Sequence, residues 1–187
     1  INSWLLKTGL LRVKRRIPSI LRHEAFKLGL TPVRAYSFAK RLNLVRWSFA
    51  ATGAPESRLQ SLVRHLFLSR GDVDWRRTRA YSFGNFGQIY INLAGREPEG
   101  IVSEVEYDGL VPSIMKDLED MKDPGTGEKL FDVVLSRSQI YWGSNAHLSP
   151  DIVFLNSQSK FVTVRYLEFG DSRLLGRHPI WRGTHTL

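Results

Sequence analysis

The sequence predicts an α/β fold in which a basic helical region precedes a sheet accompanied by one long helix. Apolar residues recur at helical spacing up to about residue 70, and beyond residue 74 they alternate in short runs between glycines and prolines. The charge changes at the same place: residues 1–79 hold 17 Lys and Arg against 4 Asp and Glu (+13), residues 80–187 hold 10 against 14 (−4), and the total is +9. We therefore predict a helical region over 1–72 and an α/β core over 73–187.

The helical region is predicted to contain a series of helices that begin at capping residues or prolines. Asn2 or Ser3 is expected to cap the first helix. Pro18 suits the first turn of a second helix, which Gly29 is expected to end. Two further helices follow, indicated by Thr31-Pro32 and by the apolar residues Leu59, Leu62, Val63, Leu66 and Phe67.

Lys and Arg occupy most of the positions between these apolar residues. Basic amphipathic helices can lie on an anionic surface, either nucleic acid or lipid headgroups, or contact a phosphate ligand. The same pattern is typical of the outside of a helical subdomain whose apolar faces pack on one another. The sequence leaves both interpretations open.

The core is predicted to begin with two short strands joined by a turn. Its apolar residues alternate on either side of Gly84 and Gly87, and Pro98 ends the second strand. A helix is expected over 103–122, and a tight turn at residues 123–128 follows it. The alternating residues of the first strand pair are Tyr81, Phe83, Ile89, Ile91 and Leu93.

Two further strands complete the predicted sheet. Phe131, Val133 and Leu135 alternate and indicate one of them. The continuous apolar run over 152–155 predicts a strand buried on both faces. This order of strands and helix favours an α/β domain with a mixed or parallel sheet.

Several classes of protein are excluded by what the sequence lacks. Without cysteine it has no disulfide and no thiolate metal site, which is compatible with any redox environment. No run of about 18 apolar residues predicts a membrane span. The sequence has no Walker loop, no GxGxxG and no GxSxG motif. The location that we expect is the cytoplasm.

The five histidines do not form a metal-binding pattern by spacing alone. His23 and His65 lie among basic residues and are expected to face solvent, and His147 lies in a polar loop without a neighbouring acid. His178 and His185 are separated by Pro179 and Gly183, so they cannot share one helix face as the histidines of HExxH do.

A run of short segments in the core has a distinctive order: Val73-Asp74-Trp75, Thr78-Arg79-Ala80-Tyr81-Ser82, Ile89-Tyr90-Ile91-Asn92-Leu93, Gly95-Arg96-Glu97-Pro98-Glu99-Gly100-Ile101-Val102, Lys122-Asp123-Pro124 and Ser149-Pro150-Asp151-Ile152-Val153. Together they resemble the type I phosphodiesterase/nucleotide pyrophosphatase family of the alkaline phosphatase superfamily. The resemblance covers residues 72–155 and is looser over the helical region, which resembles the variable cap inserted into that family's core.

The resemblance implies a metal-dependent hydrolase of phosphate mono- or diesters with an alkaline-phosphatase-like sheet. Two divalent ions, commonly zinc with manganese as an alternative, are held there by Asp and His, and a Thr or Ser nucleophile attacks phosphorus. Gly183-Thr184-His185 resembles the family's Gly-x-His segment, which implies that His185 is a metal ligand. No substrate-binding residue is assigned.

The sequence also departs from the family pattern. The nucleophile, the first Asp ligand and the Asp-His-Gly ligands belong to segments expected before Ile1, and no Asp-His pair occurs in the 187 residues. With Ile1 in place of an initiator Met, the chain is expected to be a piece of a longer protein, its cap plus the C-terminal part of its core. We expect the isolated chain to be inactive. The alternative function is a non-enzymatic module that binds anionic lipid or nucleic acid through the basic helices.

Overall fold

The structure, a computed structural model, describes residues 1–41, 66–83, 87–157, 169–172 and 175. These residues combine helices and a sheet and divide into two units. The sheet unit contains 1–12, 74–83 and 87–157, and the helical unit contains 13–41, 66–73, 169–172 and 175. In the sequence, one boundary between the two units lies between Val73 and Asp74, one residue after the predicted boundary between 72 and 73. Residues 1–12, which the prediction assigned to the helical region, belong to the sheet unit.

The described residues of the sheet unit form four strands in the order β1-β2-β4-β3. β1 is Ala80–Tyr81, β2 is Gln88–Ile91, β3 is Val133–Ser136 and β4 is Ile152–Leu155. The three pairings are antiparallel, with the registers Ala80↔Ile91, Ile89↔Ile152 and Leu135↔Val153.

The predicted mixed or parallel sheet is wrong for these four strands, because each described pairing is antiparallel. β2 and β3 do run in the same direction, since each is antiparallel to β4, which lies between them. The helix expected between β2 and β3 therefore connects two parallel strands that are not neighbours. β4, the strand that separates β2 from β3 in the sheet, comes after both of them in the sequence. The spacing of apolar residues within a segment does not show which strands become neighbours in a sheet.

β4 is buried on one face rather than on both. Ile152 and Phe154 are buried, whereas Leu155 is 46% exposed. A side-chain carbon at Gly87 would overlap the backbone oxygen and the ring of Phe154, so the glycine allows β2 to approach β4 closely.

The long helix α4, Glu104–Glu119, forms as predicted and packs on β3 and β4. A capping box begins it: the Ser103 hydroxyl accepts from the Glu106 amide at 3.3 Å, and the Glu106 carboxylate accepts from the Ser103 amide at 3.0 Å. Its buried face is formed by Leu110, Val111, Ile114 and Leu118.

The predicted turn at residues 123–128 also forms, closed by a hydrogen bond from the Asp123 amide to the Glu128 carbonyl at 2.8 Å. A short helix α5, Arg137–Ile140, directly follows β3. The turn predicted between β1 and β2 falls on residues 84–86, which lie outside the described residues.

The first helix, α1, spans Asn2–Thr8, but neither predicted residue caps it, because Ile1 is the N-cap. The Asn2 side chain instead forms two hydrogen bonds with the backbone of Ser82, the residue that follows β1. Its amide nitrogen donates to the Ser82 carbonyl at 3.1 Å, and its oxygen accepts from the Ser82 amide at 2.9 Å. Asn2 thus ties α1 to the sheet across 80 residues of sequence.

The helical unit contains α2, Ile17–Lys27, and α3, Pro32–Arg41. Pro18 lies in the first turn of α2, and Gly29, with φ of 91°, lies just past its end, as predicted. Most of the fourth predicted helix lies outside the described residues. In the described ranges, no helix combines the length and the apolar composition needed to cross a bilayer.

Candidate functional site: a buried carboxylate network

The predicted metal ligand His185 lies outside the described residues, as do His65 and His178. His147 is exposed, and its Nδ1 lies 2.9 Å from the Ser144 carbonyl. His23, predicted to face solvent, is half-buried, and burial together with Lys27 lowers its pKa. Within the part of the chain that the structure describes, no three His, Asp or Glu residues form a group that could hold a metal ion.

Asp151, which immediately precedes β4, is a fully buried acidic residue of the sheet unit. Its backbone amide donates to the Ile89 carbonyl at 2.9 Å, and its carbonyl accepts from the Arg137 amide at 2.8 Å. Its Oδ2 accepts from the Ile91 amide at 2.6 Å. The carboxylate therefore continues the pairing between β2 and β4 beyond the last paired residues.

Arg96 forms a two-pronged ion pair with this carboxylate. Its Nη1 donates to Oδ1 at 2.8 Å and its Nη2 donates to Oδ2 at 2.6 Å. The Arg96 side chain is only 11% exposed, and it also contacts Glu97 through Nε at 3.2 Å. Burial opposes the charged guanidinium, but the bonds to Asp151 raise the pKa of Arg96 above its ordinary value.

Two further groups contact the Asp151 carboxylate, one as an ion pair and one as a hydrogen-bond donor. Arg137, at the start of α5, places Nη1 3.0 Å from Oδ1, and its guanidinium lies 5.6 Å from the centre of the Tyr107 ring. The Tyr107 hydroxyl, on α4, donates to Oδ1 at 2.9 Å. The network of Arg96, Tyr107, Arg137 and Asp151, here called the Asp151 network, joins α4, α5, β2 and β4.

The chemistry open to Asp151 follows from this coordination. Its two oxygens accept hydrogen bonds from the Arg96 guanidinium, the Tyr107 phenol and the Ile91 backbone amide, and Arg137 adds an ion pair. A carboxylate whose oxygens are occupied in this way has few free lone pairs left for a metal ion or a substrate. The Asp151 network is therefore a structural connection between elements.

Tyr107 gives the network a measurable dependence on pH. Burial, followed by the negative charge of Asp151, raises the pKa of Tyr107 from 10.0 to about 12. Because the folded state favours the protonated phenol, the stabilisation is complete below about pH 10 and is lost as the pH rises towards 12.

We expect Tyr107→Phe to lower the free energy of unfolding by about 1.5 kcal/mol at neutral pH, because a hydrogen bond to a charged acceptor is lost. The difference between wild type and variant should shrink as the pH rises from 10 to 12. Urea unfolding followed by far-ultraviolet circular dichroism measures both effects. A difference that stays constant across this range contradicts the assignment.

Asn92, one residue after β2, organises the adjacent loops. It is 2% exposed, and its Nδ2 lies 2.8 Å from the Trp75 carbonyl, 2.8 Å from the Thr78 carbonyl and 2.9 Å from the Glu99 carbonyl. Its own carbonyl accepts from the Ile101 and Val102 amides. The two protons of this one side-chain nitrogen are thus shared among backbone carbonyls near Trp75, Thr78 and Glu99.

The helical unit has its own buried carboxylate, Asp72, which is 2% exposed. It accepts from the Ser19 hydroxyl at 2.8 Å, from Arg22 Nε at 3.1 Å and from the Ser69 amide at 3.0 Å. Burial alone would raise the pKa of Asp72, but the bonds from Arg22 and Ser19 hold it below its ordinary value.

Sequence reasoning did not single out Tyr107 or Arg137, and it treated Asp151 and Arg96 only as parts of a resemblance. One local signal was present: an aspartate directly precedes the apolar run of β4, where an unpaired charge would be costly. That signal indicates a buried partner without identifying it. Comparison with known proteins finds no match to a family model, to a curated protein or to a solved structure.

Proposed function

We propose that the chain is the cap and the C-terminal part of the core of a phosphoric ester hydrolase of the phosphodiesterase/nucleotide pyrophosphatase type. The substrate class is phosphate mono- or diesters, and the fold of the complete core is alkaline-phosphatase-like. His185 is the metal ligand that this chain contributes. The nucleophile and the remaining ligands lie elsewhere in the parent protein, whose expected location is the cytoplasm.

The observation that supports this proposal is the convergence of the segments that carry the resemblance. Among the described residues, segments 78–82, 89–93, 95–102 and 149–153 belong to the sheet unit. Their polar side chains interact: Arg96 pairs with Asp151, and Asn92 bonds to the Thr78 carbonyl. Gly100 fits the same arrangement, because a side-chain carbon there would overlap the Leu93 backbone. Residues that suggest a family by their order are thus the residues that hold the loops together.

The proposed chemistry assigns a limited role to this chain. In the complete enzyme, two divalent ions, zinc or manganese, would supply Lewis-acid chemistry for an in-line displacement at phosphorus. His185 would contribute a neutral imidazole nitrogen, which is a suitable zinc ligand. The Asp151 network would hold β2 and β4 in register.

We expect the isolated 187-residue chain to be inactive, because its sequence contains no Asp-His pair and the family's nucleophile segment is expected before Ile1. The measurement is turnover of bis-p-nitrophenyl phosphate with zinc or with manganese, against a metal-only background. Turnover that His185→Ala abolishes and His147→Ala leaves intact would contradict this expectation, because an active site would then be present in the chain.

A direct test of the hydrolase proposal is the coding sequence that precedes Ile1. The proposal expects a Thr or Ser in a nucleophile segment, followed by an Asp-His-Gly segment before the basic helices. A preceding sequence without either segment rules out the proposed parent enzyme.

A second candidate function is a non-enzymatic module that binds an anionic partner through its basic helices. The observation that favours it is the exposure of Arg15, Arg16 and Lys27 at and around α2. Affinity of this origin falls steeply with added salt, because counterions are released on binding. Binding to neither acidic vesicles nor DNA at low salt removes this candidate.

A further inference from the structure

The outward face of α2 is more apolar than a solvated helix surface requires. Ile17, Ile20, Leu21 and Leu28 are 75%, 45%, 64% and 86% exposed. Ile17, Ile20 and Leu21 lie along one side of the helix. Leu28 directly follows the last helical residue and, seven residues after Leu21, lies on the same side. Leu30, just beyond the helix, adds a side chain that is 57% exposed. We call Ile17, Ile20, Leu21 and Leu28 the α2 stripe.

The orientation of the α2 stripe is fixed from the opposite side of the helix. Ser19 and Arg22 are bonded to the buried Asp72, and Phe26 is 4% exposed and packs edge-to-face on Phe169 with ring centres 6.0 Å apart. Rotating α2 to bury the stripe would break an ion pair and a buried hydrogen bond. The outward position of the stripe is therefore a stable feature of the helical unit.

The charges beside the α2 stripe are almost all positive. Arg15 and Arg16 precede the helix and Lys27 ends it, and all three are exposed. Glu24 is the acidic residue within the stripe, and its carboxylate is bonded to Lys27 at 2.7 Å. An aliphatic stripe bordered by cations matches a surface that is apolar at depth and anionic at its boundary.

We propose that the α2 stripe docks on an anionic lipid bilayer, with its aliphatic side chains among the upper acyl chains and Arg15, Arg16 and Lys27 at the headgroups. The stripe has no aromatic side chain on which a base could stack, which favours lipid over single-stranded nucleic acid. Its exposed aliphatic groups would gain nothing from a duplex phosphate backbone. The inference is independent of the hydrolase proposal and gives the second candidate a defined contact surface.

The experiment is cosedimentation of the full 187-residue chain with vesicles of phosphatidylcholine, with and without about 30% phosphatidylserine, at low salt. We expect binding to the acidic vesicles and little binding to the neutral ones. Leu21→Ser combined with Leu28→Ser should weaken partitioning at least about tenfold, because two leucines no longer leave water on binding. The matched control is Leu148→Ser in the sheet unit, a leucine of similar exposure (65% against 64% for Leu21), which should bind as wild type does.

Each other outcome overturns the proposal. Absence of binding to acidic vesicles, or binding that the double variant leaves unchanged, shows that the stripe does not contact lipid. A dimer in sedimentation velocity that the double variant dissociates identifies a second copy as the occupant. Salt-sensitive binding to DNA without binding to vesicles would contradict the lipid proposal and would indicate that the anionic partner is nucleic acid. Circular dichroism of the variants checks that α2 remains folded.

Discussion

Asp151→Asn is expected to lower the free energy of unfolding by about 3–5 kcal/mol, the usual cost of removing one partner of a buried ion pair. The substitution keeps the shape of the side chain but removes its charge. Arg96, which is 11% exposed, would then retain Glu97 as its ionic partner among the described residues. An asparagine amide would also direct a donor towards a cluster that already consists of donors.

The matched control for this prediction is Asp117→Asn on the exposed face of α4. A surface substitution of the same chemistry should change stability by less than about 0.5 kcal/mol. Urea unfolding of both variants at neutral pH gives the comparison. A loss below about 1 kcal/mol for Asp151→Asn would show that Arg96 and Arg137 are adequately solvated without it, and that the network does not hold the sheet unit together.

The elements of the sheet unit were largely predictable because their signals are local. Alternating apolar residues located β1, β2 and β3, and a continuous apolar run located β4. The capping box of Ser103 and Glu106 at the start of α4 is equally local. The turn at residues 123–128 was indicated by its glycines and its proline. Each of these signals lies within a few residues of the structure that it specifies.

The pairing of the strands was not predictable in the same way. The insertion of β4 between β2 and β3 depends on contacts between residues far apart in sequence. A continuous apolar run such as 152–155 also does not show whether one face or both will be covered, and Leu155 proves to be exposed. Whether one face or both faces of a strand are buried depends on which other elements pack against it, and the apolar run does not specify this.

The sequence could indicate that a buried aspartate needs hydrogen-bond and ionic partners, but it could not identify those partners. Asp151 lies 55 residues from Arg96 and 44 from Tyr107, and Asp72 lies 50 from Arg22. The chain contains 27 Lys and Arg, so sequence alone offers many equivalent partners for a buried carboxylate. The fold selects among them. Asn2 shows the same limit, since a residue expected to cap α1 bonds instead to Ser82.

The second large effect that we expect concerns His185. In the complete protein, His185→Ala should reduce kcat/KM for bis-p-nitrophenyl phosphate by more than about 100-fold, because loss of a direct ligand exceeds the 10–100-fold cost of altering the groups that only orient one. The reduction should be accompanied by loss of bound zinc. His147 is the matched control, because it is an exposed histidine whose Nδ1 is occupied by the Ser144 carbonyl.

The central claim, that this chain belongs to a metal-dependent phosphoric ester hydrolase, is tested most directly by assaying the whole protein encoded by the reading frame that contains it. The account predicts zinc- or manganese-dependent hydrolysis of bis-p-nitrophenyl phosphate that His185→Ala abolishes and His147→Ala leaves unchanged. Absence of hydrolysis with either metal, or hydrolysis that His185→Ala does not reduce, would contradict it.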